Sequence, residues 1–321
     1  MYWASSCGGC EISLINLHDK ILDVDNHFEF VFCPCLLDTK KQDVEAMADG
    51  SIAITFFNGA IRTEENEEMA HLLRRKSQIL IAFGSCAWQG GIPALSNFHS
   101  LADHFQTIYL TGHTLDNPQG VIPQSTTMVL EGVLRLPRLF DRVKTLANVI
   151  EVDYFMPGCP PESHQIWNVI EAVVEGCPLP PKGSVIGAGT STVCDECART
   201  KNDKLVKEFH RTFEIHPNPN TCLLEQGVVC MGIATRDGCR ALCPKVNMPC
   251  TGCYGPPDGV KDQGAKMIGA LASILEVGDY KGLTPEQMGK KVEAMLSSIP
   301  DAAGTYYKFG AAESILGGRA Q

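Results

Sequence analysis

Two cysteines stand three residues apart near the start of the chain, Cys7 and Cys10 in SSCGGCEISL, and the whole sequence of 321 residues holds 15. Thiolates are soft donors, and both zinc and iron–sulfur clusters take four of them. Disulfides fit poorly, because the count is odd and a core of this size needs no covalent staples. Cys86 in FGSCAWQGG and Cys159 in MPGCPPE each follow an apolar run, and with Cys7 and Cys10 they make one set of four. Further along come Cys194, Cys197, Cys222, Cys230, Cys239, Cys243, Cys250 and Cys253, enough for two more sites. Cys33, Cys35 and Cys177 remain; all lie in or beside apolar runs and read as small buried hydrophobes.

A zinc ribbon draws its ligand pairs from one compact stretch. Pairing Cys194/Cys197 with Cys250/Cys253 would imitate that, but it would strand the four thiols between them. The first set is dispersed and flanked by Gly8, Gly9, Gly84, Gly90, Gly91 and Gly158. Glycine lets backbone approach bulky inorganic sulfur and donate N–H hydrogen bonds to it. Iron–sulfur clusters are therefore the expected occupants, and a zinc-stabilised scaffold is the alternative.

The elements that must position these thiols follow from periodicity. Phe28–Phe32, Ser51–Phe57, Gln78–Phe83 and Val149–Met156 read as buried strands, and Glu11–Leu22, Thr39–Ala48, Glu64–Lys76 and Glu162–Val174 as helices. That alternation implies an α/β fold, a doubly wound parallel sheet covered on both faces, with ligands collecting where strands end. Cys10, Cys86 and Cys159 all fall at such ends. Residues 178–189 are rich in Pro and Gly and read as a hinge between a domain 1–177 and a domain 178–321. From Cys194 to Cys253 regular periodicity fades, so bound inorganic material is expected to organise an irregular domain with a few helices. Helical rhythm returns at Ala265–Leu275. Thr284-Pro-Glu-Gln287 then carries a capping box with proline at the first helical position.

The formal net charge of −10 disfavours nucleic acid, whose phosphates require clustered Lys and Arg. No run of 18 apolar residues suggests membrane insertion, and no leader pattern is visible, so the expected location is cytoplasmic. Neither a Gly-x-Gly-x-x-Gly turn nor a Walker loop follows a strand, which argues against a nucleotide or flavin site. Glu11 reads as a solvated or helix-start carboxylate, Trp3 and Trp88 as shields of the first site or as core. His164, His210 and His216 read as surface or cap residues.

Seven motifs in order, SSCGGCEISL, GSCAWQGG, MPGCPP, CDECAR, CLLEQGVVC, GCRALCP and MPCTGCYGP, closely resemble the small subunit of nickel–iron hydrogenases across nearly the whole chain. The resemblance implies a flavodoxin-like first domain whose cluster faces a large subunit carrying the nickel–iron centre. It implies three 4Fe-4S clusters and no catalytic residue in this chain. Cys7, Cys10, Cys86 and Cys159 match the proximal ligands, Cys194, Cys197, Cys222 and Cys230 the distal ones, and Cys239, Cys243, Cys250 and Cys253 the medial ones. Cys194 replaces the histidine of periplasmic enzymes, and a fourth medial cysteine is present, as in cytoplasmic group 3. Gly9 and Gly91 stand where oxygen-tolerant members place extra cysteines.

Length and the stretch IPDAAGTYYKFG are similar to the methyl-viologen-reducing type, which does not reduce deazaflavin F420. That likeness implies a 2Fe-2S delta-type partner, electron delivery to heterodisulfide reductase and a place in methanogenesis. A deazaflavin-reducing hydrogenase small subunit is the alternative; a quinone-reductase-type subunit is disfavoured because no adjacent Cys-Cys pair occurs. Only MYWA precedes the first motif, where family members carry several more residues, so the expectation is either a late start at Met1 or a nearly absent first strand.

Overall fold

The computed structural model describes residues 1–278, 282–299 and 301–316. The chain divides into two compact units, Met1–Ile186 together with the residues from Ala311 onward, and Gly187–Gly310.

In the first unit the described residues form a five-stranded parallel sheet. Its strands are Tyr2–Trp3, Ile52–Asn58, Ser77–Phe83, Tyr154–Met156 and Ser184–Val185, adjacent in that order. Side chains alternate across a strand, and the core splits accordingly. Phe57, Leu80 and Ala82 pack with Val44, Met69, Leu72 and Leu73 on one face. Ile81 and Phe83 pack with Leu14, Val24, Ile166 and Ile170 on the other. Helices Lys41–Ala46 and Glu64–Lys76 thus cover one face, and Gly9–Ile15, Lys20–His27 and Ser163–Val174 cover the opposite one. This is a flavodoxin-like doubly wound α/β fold.

Helix Glu64–Lys76 matches its expected span for local reasons. The Thr63 hydroxyl accepts from Asn66 N, acidic residues fill the first turn, and Arg74, Arg75 and Lys76 fill the last. Three expectations need correction. Phe28–Phe32 is not a strand: among the described residues it has no ladder partner, and the strand nearest its end, Tyr2–Trp3, is two residues long and pairs with Phe57 and Asn58. One backbone contact links them, from the Met1 amine to Phe32 O at 2.6 Å. Between that segment and Ile52–Phe56 lies an apolar cavity of about 510 Å³, lined in part by Phe28, Phe30, Ile54 and Ile170. The helix expected over Glu11–Leu22 breaks into two, with His18 at φ +56° between them. The strand expected over Val149–Met156 is confined to Tyr154–Met156. Its approach is diverted because the Asp153 carboxylate accepts from Leu80 N at 2.8 Å.

Two further strand pairs lie outside the main sheet, Ile61–Thr63 with Leu139–Lys144 and the hairpin Thr126–Val129 with Gly132–Arg135.

The second unit is built from short pieces around its cysteines: helices Val193–Glu196 and Leu242–Lys245, and 3-10 turns Leu224–Gln226 and Met231–Ala234. Longer helices follow at Gln263–Ile274 and Pro285–Leu296, the latter capped by Thr284 and Gln287. Among the described residues no helix is long and apolar enough to cross a membrane.

Candidate iron–sulfur centres

The first set gathers at the carboxyl ends of three strands. Trp3 ends the first strand; Cys7 follows, and Cys10 sits in the opening turn of helix Gly9–Ile15. Cys86 lies in the short helix Ser85–Gln89 directly after strand Ser77–Phe83, and Cys159 follows strand Tyr154–Met156. The loops are tied together: Gly84 N donates to Met156 O and Ser85 N to Gly158 O, each at 2.8 Å. The Ser13 hydroxyl donates to Pro161 O. Burial pushes the Cys86 thiol up to about 12, with Cys159 and Cys7 adding to it. Burial raises Cys10 as well, reinforced by Glu11, Cys86, Cys159 and Cys7. The four thiols therefore share one electrostatic neighbourhood.

The room around them is made by glycine. A Cβ on Gly84 would stand 2.6 Å from Cys10 Sγ, and one on Gly91 would stand 2.5 Å from Cys86 Sγ. Both glycines also have positive φ, at +84° and +59°, which L side chains adopt only with strain. Glu11 stands in the first turn of helix Gly9–Ile15 as a helix-start carboxylate, but it is buried rather than solvated, and Asn58 Nδ2 lies 2.7 and 2.8 Å from its two carboxylate oxygens. Asn58 also donates to Ser6 Oγ at 3.0 Å. An asparagine closing an apolar strand was the only signal in the sequence for this partner. Trp3 is 45% exposed and lies against Gly8, whereas Trp88 packs on Phe155 within the core.

In the second unit, Cys194, Cys197, Cys222 and Cys230 line one cavity with Arg199 and Lys201. Cys222 is delivered by a bridge in which Thr200 N donates to Asn220 O and Cys222 N to Thr200 O, both at 2.8 Å. Burial pushes the Cys194 thiol up to about 12, with Cys230, Cys222 and Cys197 contributing. A Cβ on Gly232 would lie 3.3 Å from Cys194 Sγ. Of the other four, Cys239 lies beside Cys243 and accepts from Leu242 and Ala241 amides. Cys250 lies beside Cys253 and also beside Cys230. Cys250 N donates to Cys230 Sγ at 3.3 Å, so one peptide unit joins the two groups.

The donor chemistry fits the group. Four thiols around glycine-lined space, with amides aimed at sulfur, suit a cluster with bridging sulfides. The three remaining cysteines are less uniform than expected. Cys33 is buried, but Cys35 and Cys177 are exposed, and Cys33 Sγ lies 3.5 Å from Cys35 Sγ. Of the histidines, His164 lies in the first turn of helix Ser163–Val174 and His210 Nε2 lies 3.6 Å from Glu208.

Residues 7–173 match the family model described as the 20-kDa subunit of NADH ubiquinone oxidoreductase. That match contains Cys7, Cys10, Cys86 and Cys159 and none of the eight cysteines from Cys194 to Cys253. Two relatives extend further. The iron–sulfur subunit of the F420-non-reducing hydrogenase of Archaeoglobus profundus is 44% identical over 275 residues, covering 84% of this chain and 85% of its own. The corresponding F420-non-reducing hydrogenase subunit of Methanothermobacter marburgensis is 37% identical over 310 residues, covering 96% and 92%. Among solved structures, the Dm. baculatum [NiFeSe]-hydrogenase aligns at 20% identity and a TM-score of 0.49, covering 80% of this chain and 94% of that one. The chain belongs to the 20-kDa NADH–ubiquinone oxidoreductase subunit family and, within it, stands with the iron–sulfur subunits of F420-non-reducing hydrogenases.

Proposed function

We propose that this chain is the electron-transferring small subunit of a cytoplasmic nickel–iron hydrogenase, holding three 4Fe-4S clusters. Cys7, Cys10, Cys86 and Cys159 would hold the proximal cluster, Cys239, Cys243, Cys250 and Cys253 the medial one, and Cys194, Cys197, Cys222 and Cys230 the distal one. When bound, such clusters supply one-electron carriers whose potentials follow burial and hydrogen bonds to sulfur. The chain's own residues then do the tuning. Gly84 and Gly91 leave space at the thiols, the Cys250 amide donates to Cys230, and burial of Cys10, Cys86 and Cys250 keeps water away. No residue of this chain performs bond chemistry.

The observation that carries this reading is the meeting of four thiols from residues 7 to 159 at the ends of parallel strands, around glycines whose side chains would occupy the site. A large nickel–iron subunit is the proposed partner, with a 2Fe-2S delta-type subunit and heterodisulfide reductase as onward acceptors. Met128, Leu130, Val133, Leu134 and Leu136 stand exposed on and around the hairpin, the kind of apolar surface that a stable subunit contact covers. Anaerobic purification with the neighbouring gene products should give about twelve irons and twelve acid-labile sulfides per chain. It should also give a broad absorption bleached by dithionite, and dihydrogen-dependent dye reduction. A colourless protein with about three zincs, or a native preparation without a nickel-containing partner, would sink the reading.

A further inference from the structure

Arg74, Arg199 and Arg236 all have largely buried side chains, and one of the three is neutralised differently. Arg74 pairs with Asp153 at 2.6 Å, and Arg236 pairs with Asp258 at 3.0 Å. Arg199, 8% exposed, has no carboxylate within ion-pair distance among the described residues. Its guanidinium is saturated by neutral acceptors instead. Nε and Nη2 donate to Pro244 O at 3.1 and 2.9 Å, and Nη1 donates to Asn218 O and Thr221 O, each at 2.9 Å. Nη2 also donates to Asn247 Oδ1 at 2.7 Å.

A cation sunk among neutral dipoles is costly unless negative charge lies close by. The surroundings of Arg199 point to where that charge belongs. The residue follows Cys197 by two positions, Thr221 precedes Cys222, and Pro244 follows Cys243. Arg199 also lines the cavity formed by Cys194, Cys197, Cys222 and Cys230. Four thiolates around a cluster leave a net negative group at that place.

We propose that Arg199 is the fixed counter-charge of the group held by Cys194, Cys197, Cys222 and Cys230, and that it raises the reduction potential of that cluster. The inference rests on the iron–sulfur reading of those four cysteines. Reduction adds one electron and no proton is required for balance, so the reduced form is the more negative. A buried cation therefore stabilises the reduced form more than the oxidised one. Lys201 has the same sign, and its Nζ donates to Cys194 O at 2.8 Å, but it is exposed and screened by water. Arg199 is thus a positioning and tuning residue: its fork fixes the peptides beside Cys222 and Cys243, and its charge sets the potential.

The test is a redox titration followed by electron paramagnetic resonance on the anaerobically purified hydrogenase complex, comparing the parent with Arg199→Met, Arg199→Lys and Lys201→Gln. Arg199→Met should move the midpoint of one second-unit cluster to more negative potential, while the cluster of Cys7, Cys10, Cys86 and Cys159 keeps its own. Arg199→Lys should restore most of the shift, and Lys201→Gln should move it less than Arg199→Met. Full iron content with an unchanged midpoint in Arg199→Met would overturn the inference alone. Should Arg199→Met lose its cluster, Arg199→Lys decides: full iron with a near-parental midpoint supports the charge role. Loss of the cluster from both variants, or a lysine variant with full iron and a lowered midpoint, overturns it in favour of a purely structural clasp. About four irons in the parent chain would instead overturn the iron–sulfur reading of the second unit itself.

Discussion

The two units hold cysteines by opposite means. In the first, a parallel sheet with two apolar cores carries three loops to one end, and the thiols are side products of that packing. In the second, helices of four residues and single 3-10 turns surround the thiols, held by hydrogen bonds to backbone carbonyls through residues such as Arg199. A hydrophobic core stabilises its loops whether or not an inorganic group is present. The second unit buries apolar side chains too, among them Leu223, Met231, Tyr254 and Met267, but its cysteines sit on or beside elements of four residues or fewer, whose order is coupled to whatever they bind.

The sharpest way to break that contrast is to strip the iron with a chelator and an oxidant and follow amide hydrogen exchange. Protection should vanish across 222–253 and persist in strand Ser77–Phe83; equal loss in both units would refute it. Next in size is Asp153→Asn, which takes the central carboxylate from Arg74 and Lys182, each at 2.6 Å, and from Leu80 N. Burial alone would raise that carboxyl, but Lys182, Arg74 and the Leu80 amide outweigh it and hold it below the ordinary range. Removing it should cost the first unit about 3 kcal/mol in urea unfolding, since one buried partner of the cluster disappears.

Gly84→Ala should follow, because the new methyl meets Cys10 Sγ and forces an alanine to φ +84°. A strain of about 1–3 kcal/mol should accompany loss of the first-unit cluster, about four irons, with the other signals intact. The smallest effect concerns the spare thiols. Exposed Cys35 and Cys177 should alkylate readily, whereas Cys33 is pushed up to about 11 by burial and by the Cys35 thiol. Its labelling should rise with pH as the thiolate fraction grows toward that value, and equal rates at neutral pH would contradict its burial.

Much of this was legible because local signals and long-range packing agreed. Thr63, the acidic first turn and the basic last turn set helix Glu64–Lys76 on their own. The apolar runs ending in Gly84-Ser85-Cys86 and Gly158-Cys159 announced strand ends with thiols attached. What escaped were partnerships set only by the folded chain. Glu11 reads as a solvated or helix-start carboxylate, and while the helix start is local, only folding brings Asn58, 47 positions later, onto it. Arg199 sits inside a cysteine motif, but nothing in the motif tells that its charge is buried without an acid. Phe28–Phe32 has every strand propensity and lacks a neighbour to pair with, which no local pattern reveals.

Among the described residues, that unpaired segment leaves Ile52–Phe56 bonded to the sheet on one side only, since Tyr2–Trp3 pairs with Phe57 and Asn58. Ile81–Phe83 is paired on both sides. A strand bonded along one flank opens more readily than one bonded along both, so the first unit has a soft flank at Ile52–Phe56 and a stiff, cysteine-bearing end.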